Sequence, residues 1–236
     1  MIQIQYPRSD INRLLLLEQA IATATQDQAA GRDYVSARWV SEAQALVPDF
    51  GAKVRSMSAL KGHRGQDIIE KNETMAELVR YVRDFWSGLK RRIIRLKQPN
   101  SLFLLYNLPQ TGRNPTENNT SLVWLERGAG LIAADAKAVE RGYPPMSNPS
   151  AAELQVVLDR ARAEFGDVAM AHREVDVAQH EVNQLRPRAD RLIRLLSAQL
   201  NASLYELPAE GIRHVKGTYG FEFYTLPEKL QIANGE

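Results

Sequence analysis

The chain has 236 residues, 44% of them apolar and 25% charged, ordinary globular values that argue against a disordered chain. Thirty Lys and Arg stand against 28 Asp and Glu, so a net charge of +2 provides no global field for polyanions and any basic site must be local. The absence of cysteine excludes disulfides, thiolate metal sites and cysteine nucleophiles, and no apolar run approaches the ~20 residues of a membrane-spanning helix.

Ile2, Ile4 and Tyr6 alternate with polar neighbours, the period of an extended arm. This stretch has neither the basic region nor the apolar core of a Sec-type signal, so a cytoplasmic location is expected. Pro7 followed by Ser9 and Asp10 reads as a stop and a helix cap. The period then becomes helical: Leu14, Leu17, Ile21 and Ala24 place one apolar stripe on one face. A helical pattern continues through Trp39 to Leu46, with Gly31 and Pro48 marking expected breaks. Lys61-Gly-His-Arg-Gly65 is expected to turn. A second helix runs from Asn72 to Lys97 on Met75, Leu78, Val82, Phe85, Leu89, Ile93 and Leu96.

Residues 107–120 are rich in turn formers and read as a linker. A short helix follows from Ser121 to Glu140, and Gly142 with the prolines up to Pro149 closes it. Ser150 with Glu153 makes a capping box for the longest pattern in the chain. There Leu154, Leu158, Ala161, Phe165, Val168, His172, Val175, Gln179 and Val182 alternate steps of four and three, a heptad-like seam. After Pro187 the stripe resumes through Ala189, Leu192, Leu196, Leu200 and Leu204, so this helix needs a long partner.

Placing Pro187 on Pro48, an offset of 139 (187 − 48), brings Leu185 onto Leu46, Glu181 onto Glu42 and Leu154 onto Leu15. Each half then closes on Tyr-x-Leu-Pro, at Tyr106 to Pro109 and Tyr224 to Pro227. The expected fold is therefore all-α, a long antiparallel bundle from two related helical hairpins with short extended terminal arms. Residues 1–108 would hold the first repeat and its arm, 109–149 a linker with a short helix, and 150–236 the second repeat and its arm.

The strongest charge feature is Arg80, Arg83, Lys90, Arg91, Arg92, Arg95 and Lys97 against Asp84 alone. Phosphate-backbone binding uses such a cluster on one helix. Aromatic interleaving is weak, however, because Phe85 and Trp86 fall in or beside the apolar stripe. The run therefore reads first as a solvated or intersubunit face and second as a nucleic-acid site. His172, Asp176 and His180 have the spacing of a helical metal site, but further ligands would have to come from other helices and Glu-x-x-His is absent from the chain. His172 itself falls on the seam and reads as a satisfied core histidine or, with Gln179, as one of two polar residues that fix helix register; neither a metal nor a cofactor is expected. Gly128-Ala-Gly130 reads as close helix packing.

The arms are more suggestive. Ile2, Ile4 and Tyr6 at one end and Tyr219, Phe221, Phe223 and Leu226 at the other are apolar and outside the helices, so they need a surface to dock on, their own or a neighbour's. With no convergent polar constellation of a catalytic kind, the expectation is a non-enzymatic structural protein. It would self-associate through its arms into an oligomer, filament or lattice, its partner being itself. The alternative is a nucleic-acid-binding bundle using residues 80–97.

Overall fold

A computed structural model describes residues 2–115 and 120–225. In chain order it contains strand β1 (Ile2–Gln5), helices α1 (Asp10–Ala29), α2 (Ala37–Arg95), α3 (Leu102–Leu105), α4 (Ser121–Glu140), α5 (Ala151–Ser203) and α6 (Ala209–Thr218), and strand β2 (Glu222–Thr225). The fold is all-α, with one small antiparallel sheet made by β1 and β2. The caps form where the residues ask for them. Ser9 precedes α1 and its side chain accepts the Asn12 N–H. Before α5, Glu153 accepts from the Ser150 N–H and hydroxyl while Ser150 Oγ accepts the Glu153 N–H.

Two expected breaks are not there, since α2 runs unbroken through both Pro48 and the 61–65 segment. A proline inside a helix costs about 3 kcal/mol, but its neighbours Leu46 and Phe50 are buried, and their packing outweighs the lost bond. Gly62 and Gly65 face open space, and each weakens the helix by only about 1 kcal/mol relative to alanine. Pro187 likewise lies inside α5. Of the residues 107–120 expected as a linker, Leu108 is buried in a core.

The described chain packs as two compact units. These cut across the segmentation at 108 and 149, because each draws on both long helices. One unit combines the chain up to Leu60 with the chain from Val175 onward. Its core joins Leu14, Leu17 and Ala20 of α1, Trp39, Leu46 and Phe50 of α2, and Leu192, Leu196 and Leu200 of α5. Within it α2 and α5 are antiparallel: Trp39 Nε1 donates to the Leu192 carbonyl at 2.9 Å, and Lys53 pairs with Glu181 at 2.9 Å. The other unit, Lys61–Glu174, joins Leu78, Phe85 and Leu89 of α2, Leu125 and Leu131 of α4, and Leu154 and Leu158 of α5. Gly128 earns the close-packing reading there, since a Cβ would meet Leu158 Cδ1 at 3.3 Å and Leu78 Cδ1 at 3.4 Å.

The hairpins are related, but in a different register from the one the prolines suggest. Gly31 (φ +72°) and Gly142 (φ +83°) follow α1 and α4, an offset of 111 (142 − 31). The same offset pairs the buried positions Leu14 with Leu125, Leu17 with Gly128, Ala20 with Leu131, Ala24 with Asp135, Asp27 with Ala138 and Val35 with Met146. The closing turns also match. The N–H groups of Tyr106 and Leu108 both reach the Phe103 carbonyl around Asn107 (φ +55°). Those of Tyr219 and Phe221 both reach the Lys216 carbonyl around Gly220 (φ +89°). Tyr219, not Tyr224, is thus the counterpart of Tyr106: both are buried, whereas Tyr224 is 41% exposed on a strand. The two tyrosines of the shared Tyr-x-Leu-Pro string are therefore not equivalent, and Leu226 and Pro227 lie outside the described residues.

Candidate functional site

The two arms pair with each other. Ile2 faces Thr225, Gln3 faces Tyr224, Ile4 faces Phe223 and Gln5 faces Glu222. The period-two pattern is realised: Ile4 and Phe223 pack against the core, while Gln3, sharing a hydrogen bond from the Tyr224 hydroxyl at 2.9 Å, lies on the opposite face. Tyr219 and Phe221 are not presented to a neighbour as expected but are buried in the core of their own chain. The Tyr219 hydroxyl donates to Asp27 Oδ2 at 2.7 Å, and Arg32 holds the other carboxylate oxygen. Burial, then the bond to Asp27, pushes the Tyr219 phenol up from its ordinary value. Gln19 and Thr23 both donate to the Thr218 carbonyl, clamping this segment to α1. Leu226 lies outside the described residues.

What the arms leave available is the sheet's outer rim. β1 and β2 make a sheet of two strands only, so among the described residues each has an edge without a strand partner. Beside it lies a groove of about 440 Å³ bordered by Tyr6, Asn12, Leu15, Gln19, Gly220 and Glu222. Tyr6 and Leu15 are 47% and 55% exposed, although the Tyr6 ring also meets Phe221 edge-on. Gly220 permits this close approach, since its positive φ suits glycine and a Cβ would come within 3.2 Å of Gln19 Oε1.

The basic run divides by side of the helix. Arg80, Arg91 and Arg95 fall within about 60° of helical rotation, while Arg83 and Lys90 lie on the neighbouring side and Lys97 follows the end of α2 in a turn, with φ +49°. All six are exposed and none makes an ion pair with a described residue. Arg83 lies over the Trp124 ring, 5.5 Å from its centroid. Arg92 does not belong to this surface. It is buried, donates to the Pro144 carbonyl and to the Tyr106 hydroxyl, and stands 3.8 Å from Asp135. Asp135 also accepts from the Tyr106 hydroxyl at 2.8 Å and from the Met146 N–H at 3.2 Å. Burial and the Asp135 bond push the Tyr106 phenol up to about 12. Phe85 and Trp86 are core, as their stripe predicts.

Sequence reasoning missed Asp27, Asp135 and the buried Lys216. A signal existed, since Asp27 and Asp135 each sit at helical spacing inside an apolar stripe. His172 and His180 are exposed, so His172 is not a seam residue; Ala171 and Ala178 hold the seam instead. Among the described residues no group of three or more His, Cys, Asp or Glu could hold a metal ion, and no helix is long and apolar enough to cross a membrane. Comparison of the chain with protein-family models, curated proteins and solved structures finds no match.

Proposed function

We propose that this is a non-enzymatic structural protein that self-associates, with the terminal sheet as its joining element. The observation that carries the reading is the two-stranded sheet, neither of whose outer edges carries a further strand among the described residues. An edge strand offers a row of unpaired N–H and C=O groups that another strand can complete. A second copy fits because its own β1 or β2 brings a strand of equal length, four residues. Like edges joining give a closed two-fold dimer, and β1 joining β2 of the next copy gives a ring or an open filament according to whether the rotation closes. Tyr6 and Leu15 add apolar area beside the joint. The test is sedimentation equilibrium of the whole chain and of a Tyr6→Glu/Leu15→Glu variant. The whole chain is expected above the 26.6 kDa protomer mass, rising with concentration, and the variant at protomer mass with unchanged helicity. A wild-type chain at protomer mass throughout removes the proposal.

A second reading, nucleic-acid binding along α2 and the turn after it, is favoured by six exposed cations that make no ion pair with a described residue. It requires binding that weakens steeply with salt, and a slope that flattens in Arg91→Ala/Arg95→Ala.

A further inference from the structure

Within the Lys61–Glu174 unit, the last turns of α2 and the turn at 146–148 enclose a cleft of about 330 Å³. Arg91, Arg92 and Arg95 line it together with Gly88, Ser147 and Asn148, and no carboxylate does. The cleft is built rather than incidental. A Cβ on Gly88 would meet the Asn148 carbonyl oxygen at 2.7 Å and Met146 Cε at 3.0 Å, so only glycine lets the turn close on the helix. Asp135 anchors that turn through the Met146 N–H. Its floor is the buried Arg92, held by Pro144 and Tyr106, with its Nε lacking any partner. Arg91 is oriented by its Nε–H bond to the Ser87 carbonyl at 3.4 Å, and Arg95 follows it about 6 Å along the helix.

We propose that this cleft binds a phosphate monoester group of a small molecule. Asp135 offsets Arg92, which leaves Arg91 and Arg95, two positive charges that match a phosphate dianion. Guanidinium forks pair with phosphate oxygens bidentately, and Ser147 and Asn148 carry further hydrogen-bonding groups on the lining. A neighbouring cleft of about 470 Å³ shares Arg91 and Asn148 and adds Arg80, Tyr81 and Asp84. Its charges are balanced, since Arg80 and Arg91 share the lining with the carboxylates of Asp84 and Glu153, the latter held by Ser150. It suits the neutral, hydroxylated body of the same molecule, with Asp84 accepting from hydroxyls.

The test is calorimetric titration of the whole chain at fixed ionic strength with inorganic phosphate and with glycerol 3-phosphate. Acetate, phosphatidic-acid vesicles and a single-stranded oligonucleotide are titrated alongside. Saturable one-to-one binding of both soluble phosphates, but not acetate, is expected. Arg91→Gln/Arg95→Gln should weaken it at least about tenfold, as loss of two charge-assisted partners implies. Lys90→Gln/Lys97→Gln removes the same charge from the end of α2 and the turn that follows it, outside both clefts, and should change it less than about twofold. Circular dichroism of each variant establishes that it is folded. Equal losses in the two variants, absence of saturable phosphate binding, or binding confined to vesicles or oligonucleotide each overturns the proposal. The last result moves the basic face to a lipid surface or a nucleic acid.

Discussion

Replacing Asp135 with alanine should be among the most damaging single substitutions in the Lys61–Glu174 unit. The carboxylate is 2% exposed and serves three groups: the Tyr106 hydroxyl, the Met146 N–H and the Arg92 guanidinium. Each buried donor left without an acceptor costs about 1–3 kcal/mol, and a buried charge stripped of its counter-ion costs about 3–5 kcal/mol. These losses share one pocket and do not add, so about 3–5 kcal/mol is expected in total. At about 2–4 °C per kcal/mol for a chain of this size, the melting temperature should fall by roughly 6–20 °C. Asp135→Asn keeps one acceptor oxygen but not the charge, and should lose about half as much. Urea and thermal melts followed by circular dichroism measure both. If Asp135→Ala unfolds within about 1 kcal/mol of the wild type, Arg92 is not held by this carboxylate and the argument for a fixed cleft floor collapses with it.

Stability should fall as pH rises from 10 to 12. The unfolded Tyr106 phenol ionises near 10 while the folded one keeps its proton to about 12, so the unfolded state binds fewer protons over this window and up to about 2.7 kcal/mol is lost; Tyr106→Phe should flatten the fall, and an unchanged slope refutes the assignment. Gly62→Ala and Gly65→Ala should each stabilise the continuous α2 by about 0.5–1 kcal/mol, whereas Gly220→Ala, at φ +89° against Gln19, should destabilise by about 1–2 kcal/mol; a reversed order in thermal melts contradicts the uninterrupted helix. Lys216 is buried with Asn201 as its hydrogen-bond partner, and burial lowers its pKa, so Lys216→Met should stabilise by about 1 kcal/mol or more, and a lower midpoint in urea refutes this.

The helical stripes were legible because leucine, valine and phenylalanine mark a buried face strongly: Leu14, Leu17, Leu78, Val82, Phe85, Leu154 and Leu158 are all core. Both caps were legible for the same reason of local chemistry, since Ser9 and the Ser150–Glu153 box act within one turn. Alanine carries a weak signal, so the seam at Ala171 and Ala178 was assigned one residue late, onto His172 and Gln179. Pro48 and the glycines at 62 and 65 suggested breaks because local propensity is read without the packing that overrides it. The prolines and the four-residue string point to the wrong repeat register. The equivalence lies instead in buried positions whose residue types differ, Ala24 and Asp27 against Asp135 and Ala138. At the terminal arms the alternation of Ile4 and of Phe221 and Phe223 gave the extended form. Their mutual pairing joins residues more than two hundred positions apart, which no local pattern encodes. That Arg92 alone of the basic run turns inward was not legible, because its acceptors Pro144 and Tyr106 come from outside α2, 52 and 14 residues further along the chain.

The most direct test of the self-association account is amide hydrogen exchange of the whole chain at low and at high protein concentration. If copies join through the sheet edges, protection at residues 2–5, 222–225 or both must rise with concentration while the helical amides stay unchanged, because only the outward N–H groups gain a partner. Exchange at both strands that is the same at every concentration contradicts it.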